Sequence, residues 1–199
     1  MQESRHIYIR EGIDYYYQHF FDRKNQIRVF ELGFGTGLNA LLTLDWSLQH
    51  TVPVLYATIE RYPLPLSTLP SLNYPMQIES NHPSLSSMMT SMHEALHQQQ
   101  FKHLTPNFTF EPRIGDFLEM ELPPDIDVFY YDAFAPESQP AMWTKPILQK
   151  VYDSLANGGI LVTFCAKGVF KRTLREIGFQ VTSPPGPVGK REITRALKG

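Results

Sequence analysis

The chain has 199 residues, 42% hydrophobic and 19% charged, with a net charge of −2. That is enough length for one globular domain with a substantial core, and the charge excludes a uniformly basic nucleic-acid binder. A lone cysteine, Cys165, excludes an internal disulfide, and its apolar neighbours read as a buried strand thiol in a cytoplasmic protein.

In chain order, the first twenty residues mix Glu3, Arg5, Arg10, Glu11 and Asp14 among aromatics. That is no signal-peptide pattern, and nowhere does an apolar run approach the roughly 18 residues a membrane span needs, so no membrane partner is expected. The first strand is expected over 27–32. It runs into Gly33-Phe34-Gly35-Thr36-Gly37, which opens a helix from about Leu38 to Leu48. Three glycines at alternate positions let the backbone approach a ligand closely and leave a floor of free N–H groups. The third glycine falls one residue earlier than in the dinucleotide fingerprint, and Glu31 stands two residues before the first. An acid there repels phosphate and suits the ammonium of an amino-acid-type ligand.

A second strand over 54–59 completes a β-α-β unit and ends in Glu60, twenty-three residues past Gly37. A doubly wound sheet places its ribose-binding acid there. From Pro63 to Pro106 the pattern is punctuated by Pro65, Pro70, Pro75 and Pro83. Within it Ser84–Leu104 has near-helical spacing, so a helical insertion is expected, with Met88, Met89 and Met92 packing on the sheet. Seven histidines show no zinc-type spacing, and no metal is expected.

Alternation resumes with a strand over 108–114 ending in Gly115-Asp116, and a continuous apolar strand over 126–131 ending in Asp132. A helix near 145–155, a turn at Ala156-Asn157-Gly158-Gly159 and a strand over 160–165 follow. Next come a basic amphipathic helix over 169–177, a strand over 179–182, a Pro/Gly loop over 183–189 and a last strand over 191–197. Three strand ends thus deliver Glu60, Asp116 and Asp132 to one crevice of an open parallel sheet. Asp116 suits an adenine amine and equally a helix N-cap; Phe117 beside it stacks or packs on the ring. Asp132 opens Asp132-Ala133-Phe134-Ala135-Pro136, where a carboxylate can orient a nucleophilic amine and Phe134 can stack on a flat base. Residues 166–199 hold eight basic residues against two acids, so this tail carries +6 and the remainder −8. Any polyanion should meet the tail.

Together, Glu31 through Asn39, Asp132 through Pro136 with Met142-Trp143-Thr144, Gly158-Gly159 with Thr163, and Gly189-Lys190-Arg191-Glu192 resemble the MnmC-type tRNA methyltransferase domain. The resemblance spans Gln2 to Ala196. It implies an α/β, Rossmann-like class I methyltransferase: a mostly parallel seven-stranded sheet, helices on both faces and the helical insertion near 63–106, in a single domain over 1–199. It further implies N-methylation of a 5-aminomethyl group on a tRNA wobble uridine with S-adenosyl-L-methionine as cofactor. By position, Glu31, Gly33, Gly35, Thr36, Gly37 and Asn39 would cradle the methionine part, Glu60 the ribose, and Asp116 with Phe117 the adenine. Asp132, which also borders the cofactor, and Phe134 would face the amine. Lys190 and Arg191 on the last strand, with Lys167, Lys171, Arg172 and Arg175, would meet phosphate around the anticodon. Family members normally carry residues before Gln2, so a shortened N-terminus is expected. Many are fused to an FAD-dependent oxidoreductase domain that makes the amine, an activity expected here from a separate protein. A small-molecule amine N-methyltransferase or an aminopropyltransferase on the same fold is the alternative reading.

Overall fold

A computed structural model of the chain describes residues 1–21, 25–78, 80, 82 and 84–199; Pro83, one of the expected breakers, lies outside them. Eight strands form one sheet in the order β3-β4-β2-β1-β5-β6-β8-β7. They are β1 (Ile27–Leu32), β2 (Val54–Glu60), β3 (Lys102–Thr105), β4 (Phe108–Ile114), β5 (Ile126–Tyr131), β6 (Leu155–Thr163), β7 (Phe179–Thr182) and β8 (Thr194–Lys198). The five strands β4, β2, β1, β5 and β6 are mutually parallel, while β3, β7 and β8 pair antiparallel at the edges. Chain order reverses direction between β1 and β5, and a doubly wound sheet opens its ligand crevice at the carboxyl ends beside that point.

Side-chain alternation along the strands builds two cores. Val29, Tyr56, Phe108, Phe110, Val128, Tyr130 and Val162 face one side; Phe30, Phe129, Tyr131 and Leu161 face the other. Every residue of β5 is buried, as a central strand covered on both faces requires. The first side is covered by α3 (Leu38–His50) and α5 (Leu85–Gln98), the second by α6 (Lys145–Ser154) and α7 (Gly168–Ile177).

An N-terminal arm adds to the first side. It is α-helical at α1 (Gln2–Ser4) and α2 (Tyr15–Phe20), and π-helical over Arg5–Asp14 between them. Ile7, Tyr8, Ile13 and Tyr16 are buried along it. Buried polar contacts fasten it: the Tyr16 hydroxyl donates to Asp127 at 2.8 Å, and Arg195 on β8 pairs with Glu11 at 2.8 Å.

The helical stretch expected near 63–106 comprises a 3-10 turn (Leu66–Ser71), α4 (Tyr74–Gln77) and α5. Its long helix is the crossover that carries the chain from β2 to its parallel neighbour β4. Met89 and Met92 are buried there and Met88 packs alongside. Several boundaries differ from the sequence reading, and β6 ends at Thr163, so the buried Cys165 lies just past the strand rather than on it. Residues 102–105 form the extra strand β3, hairpinned onto β4, because a helix read through to Leu104 ends at Gln98 with Gln99 left-handed at φ 51°. The segment 156–159 is no turn: β6 runs through it with a register irregularity against β5. Finally, β8 starts at Thr194, so Lys190 and Arg191 sit in the loop before it rather than on the strand.

Candidate active site

At the carboxyl ends of β1, β2, β4 and β5 lies a cavity of about 670 Å³, within the range of small-molecule sites. Glu60, Asp116 and Asp132 all line it, as do Gly33, Gly35, Thr36 and Asn39, so the acids spread over the sequence do converge. Gly33, Gly35 and Gly37 have φ of +84°, +53° and +77°. A Cβ on Gly35 would enter open space, and one on Gly37 would lie 2.8 Å from Phe34 Cζ and 3.2 Å from His93 Nε2. The bare floor is thus built by one glycine that faces the cavity and another that lets the loop close on its support.

That support comes from α5. The His93 ring is fully buried, its Nε2 is 3.2 Å from the Thr36 carbonyl, and burial lowers its pKa. A neutral ring that bonds a carbonyl through Nε2 must carry its proton there. No sequence spacing announced this role, since a histidine on an apolar helix face reads as ordinary core.

The acids are held in different ways. Glu60 accepts the Gly35 N–H at 2.9 Å and the Tyr62 N–H at 2.8 Å, so it clips the glycine loop. A carboxylate has about four acceptor positions, and roughly two remain for ribose hydroxyls. Asp116 accepts the Leu118 N–H at 2.9 Å and pairs through its other oxygen with Arg61 at 2.8 Å; residues 117–119 form a turn, so Asp116 closes a turn and caps no helix. Phe117 lines the cavity, yet its ring is 3% exposed and packs on Phe30 and Phe129.

Glu31 does not line the cavity: it is 1% exposed and lies behind Asn39. Asn39 bridges two carboxylates, its Nδ2 donating to Glu31 at 2.9 Å and to Asp132 at 3.0 Å. Glu31 Oε2, Asn39 Oδ1 and the Tyr56 hydroxyl are buried without a hydrogen bond of ordinary geometry. An unsatisfied buried acceptor is costly, and a cationic ligand end beside Asn39 is chemistry that would relieve Asn39 Oδ1, while Glu31 has the Tyr56 hydroxyl next to it. The cradle therefore fits an amino-acid-type group.

Asp132 is open to the cavity, but enough protein surrounds its carboxylate that burial raises its pKa; the hydrogen bonds from Tyr8 and Asn39 pull the other way. Burial likewise raises Glu31, with Asp132 adding to it. Tyr8, unforeseen in the sequence, donates to Asp132 Oδ1 at 2.6 Å from the N-terminal arm. Phe134 is 73% exposed at the rim, and its carbonyl accepts from Trp143 Nε1 at 2.9 Å.

The sign of the pH dependence follows. In the free protein these carboxyls hold their protons above the ordinary carboxylate range, so their contribution to stability is full below that range and declines as pH climbs toward the raised values. A cation bound beside them favours the ionised forms and pulls both pKa values down. Cofactor affinity should therefore be weakest at low pH, rise as pH passes through the raised carboxyl range, then level off, with proton release on binding. Calorimetry at stepped pH, in two buffers of different protonation enthalpy, checks this; pH-independent affinity without proton release would contradict it.

Half of the eight basic residues of the tail are ion-paired within the chain. Lys167 pairs with Glu137 and Lys190 with Glu3; Lys171, 6% exposed, bonds Glu192 at 2.8 Å and Ser183 at 2.7 Å. Lys198 donates to the Leu155 carbonyl at 2.7 Å. Among the described residues, Arg172, Arg175 and Arg191 are exposed and have no ion pair.

A parallel sheet that reverses at β1/β5, a glycine floor at that point and acids on the neighbouring strand tips define a Rossmann-like class I methyltransferase. A family model described as S-adenosyl-L-methionine-dependent methyltransferase matches residues 79–199, and the chain belongs to that family, whose cofactor is S-adenosyl-L-methionine. Over 184 residues the chain is 32% identical to the tRNA 5-methylaminomethyl-2-thiouridine biosynthesis bifunctional protein MnmC of Pseudoalteromonas atlantica, covering 85% of this chain and 26% of that one. The protein of the same name from Magnetococcus marinus is 30% identical over 203 residues, covering 98% and 30%. The chain thus spans roughly a quarter to a third of the length of these curated relatives. Its fold matches the crystal structure of MNMC2 from Aquifex aeolicus with a TM-score of 0.69 at 21% identity, over 98% of this chain and 59% of that chain. No helix among the described residues is long and apolar enough to cross a membrane.

Proposed function

We propose that residues 1–199 form one methyltransferase domain that methylates the 5-aminomethyl nitrogen of a tRNA wobble uridine, giving 5-methylaminomethyl-(2-thio)uridine. The observation that carries this reading is Asp132, held between Tyr8 and Asn39 at the end of the cavity farthest along the sheet from Asp116, beside the exposed ring of Phe134. The names of the MnmC relatives supply the substrate class, and the alternative of a small-molecule amine N-methyltransferase or aminopropyltransferase finds no support in them.

When bound, S-adenosyl-L-methionine supplies a methyl group on a sulfonium, a good leaving group. The glycine loop and Asn39 would hold its methionine part and Glu60 its ribose, with Asp116 and the backbone at Phe117 bordering the adenine. An alkyl ammonium must first lose a proton, and a carboxylate with a raised pKa is a better acceptor for it than an ordinary one. Asp132 would take that proton and pass it to solvent, and the ionised carboxylate would then hold the neutral amine with its lone pair toward the methyl donor. The charge that the nitrogen gains on methylation would be stabilised by the ionised Asp132 carboxylate. Phe134 would stack on the anticodon base, and Lys167, Arg172, Lys190 and Arg191 would meet phosphate. The amine is expected from FAD-dependent oxidoreductase chemistry acting on the same tRNA, and a tRNA substrate implies work in the cytoplasm.

Incubating the protein with methyl-labelled cofactor and tRNA bearing 5-aminomethyluridine should label that nucleoside after digestion, while spermidine and simple amines stay unlabelled. Label in the small amines alone would replace this reading with its alternative.

A further inference from the structure

A second cavity, of about 330 Å³, opens on the far side of Asp132 from the glycine floor. It shares Ser4, Asp132 and Phe164 with the larger one, so the two meet at the carboxylate. Its other walls come from Glu3, Ile7 and Tyr8 of the N-terminal arm and from Lys190. One side is aromatic and apolar, the floor is a hydroxyl and a carboxylate, and the rim is an ion pair of Glu3 with Lys190, whose Nζ lies 4.8 Å from the Phe164 ring centre. Both rim groups are partly exposed, and such pairs open at little cost, so the rim does not seal the cavity.

We propose that this second cavity receives the amine-bearing pyrimidine of the acceptor, and that Tyr8 is the positioning residue that aims the Asp132 carboxylate at the incoming nitrogen. The proposal rests on the reading of the chain as an amine methyltransferase and adds where the acceptor sits. Geometry supports it from three directions. A donor ligand in the larger cavity and a ring in the smaller one would approach each other across the shared Ser4, Asp132 and Phe164, of which Asp132 is the ionisable one. Asp132 has one oxygen fixed by Asn39 on the cofactor side and the other by Tyr8 on the acceptor side, at 3.0 and 2.6 Å, so its orientation is set from both cavities. Tyr8 itself is 3% exposed and immobilised by its ring, 5.1 Å from that of Tyr130. The π-helical turns that carry it are a rare geometry that concentrates at functional sites.

Tyr8→Phe keeps the packed ring and removes only the hydroxyl. It should leave cofactor affinity within about twofold and lower kcat on 5-aminomethyluridine-bearing tRNA by about 10- to 100-fold, the range for losing a hydrogen bond to a charged group. Glu31 on β1, Asn39 on α3, Glu3 and Tyr8 on the arm and Lys190 before β8 are the charged and polar groups that face Asp132. Among them the Tyr8 bond favours the ionised carboxylate, so its loss should move the acid limb of the kcat/KM profile to higher pH, a change that loosened packing alone does not produce. Glu3→Trp places bulk beside the second cavity and away from the larger one, which Glu3 does not line, and should raise the KM for tRNA at least tenfold with cofactor affinity intact. Wild-type rates in both variants, with an unshifted profile, would overturn the proposal. The wild-type rate on tRNA reads the function, and the variant-to-wild-type ratio reads the cavity. If wild type leaves tRNA unlabelled, the functional reading fails separately. Calorimetry of cofactor-loaded protein with 5-aminomethyluridine then decides the cavity: uptake lost in Glu3→Trp supports it, and equal uptake or none in wild type refutes it.

Discussion

Asp132→Asn is expected to yield a folded protein that binds S-adenosyl-L-methionine and transfers methyl about 10²- to 10³-fold more slowly, the scale of a lost general base. The amide keeps the shape and can still accept from Tyr8, but it presents a donor to Asn39 Nδ2, which now donates to Asp132. It also removes the charge that draws an ammonium in and stabilises the methylated product. Burial already disfavours the ionised form of Asp132, so removing the charge should cost little stability. Single-turnover rates with saturating cofactor, beside a thermal melt, separate the two effects. A variant within threefold of wild type would remove Asp132 from the chemistry.

Two substitutions in one loop should differ in kind. Gly37→Ala introduces a side chain at φ +77° and drives Cβ to 2.8 Å from the Phe34 ring, which is itself buried against His93 and Phe110. Backbone strain and overpacking together are on the order of 2–4 kcal/mol, a drop of roughly 4–16 °C in Tm for a chain of this size. Gly35→Ala meets no atom within 4 Å, so only the left-handed backbone is penalised, at about 1–2 kcal/mol. Its Cβ enters the cavity, however, and should weaken cofactor binding by tenfold or more. Denaturation midpoints and cofactor titrations on both variants test the contrast; equal loss of stability in the two would mean that the floor and its support are not distinct.

How far the sequence carried this picture depends on whether each signal was local. The glycine spacing, the acid-terminated strands and the continuous apolar run of β5 are written in consecutive residues, and the structure brings Glu60, Asp116 and Asp132 to one cavity. Glu31 reads as a ligand contact from its place just before the loop; in the fold it faces the core side with Asn39 interposed, since a one-residue step along a strand reverses the side chain. Tyr8 stayed hidden for another reason. Its arm is π-helical, so Ile7, Tyr8, Ile13 and Tyr16 do not repeat at 3.6 residues, and its partner lies 124 positions away. Lys190 and Arg191 were placed on a strand because the basic run continues into one, while the loop geometry that stops β8 at Thr194 involves a bridge between Pro185 and Glu192 that no local pattern encodes.

The internal pairing of the tail has an electrostatic corollary. Among the described residues, Lys167, Lys171, Lys190 and Arg195 are ion-paired with carboxylates of the same chain, and Arg172, Arg175, Arg191 and Lys198, the last bonded only to backbone carbonyls, keep uncompensated charges. An RNA meeting this face through the unpaired cations alone would displace about three or four condensed counterions, and more only where the surface pairs of Lys167 and Lys190 open to let them reach phosphate. Attraction of a polyanion to this face would then weaken only moderately as ionic strength rises, which leaves selectivity to contacts of shape at the cavity mouth.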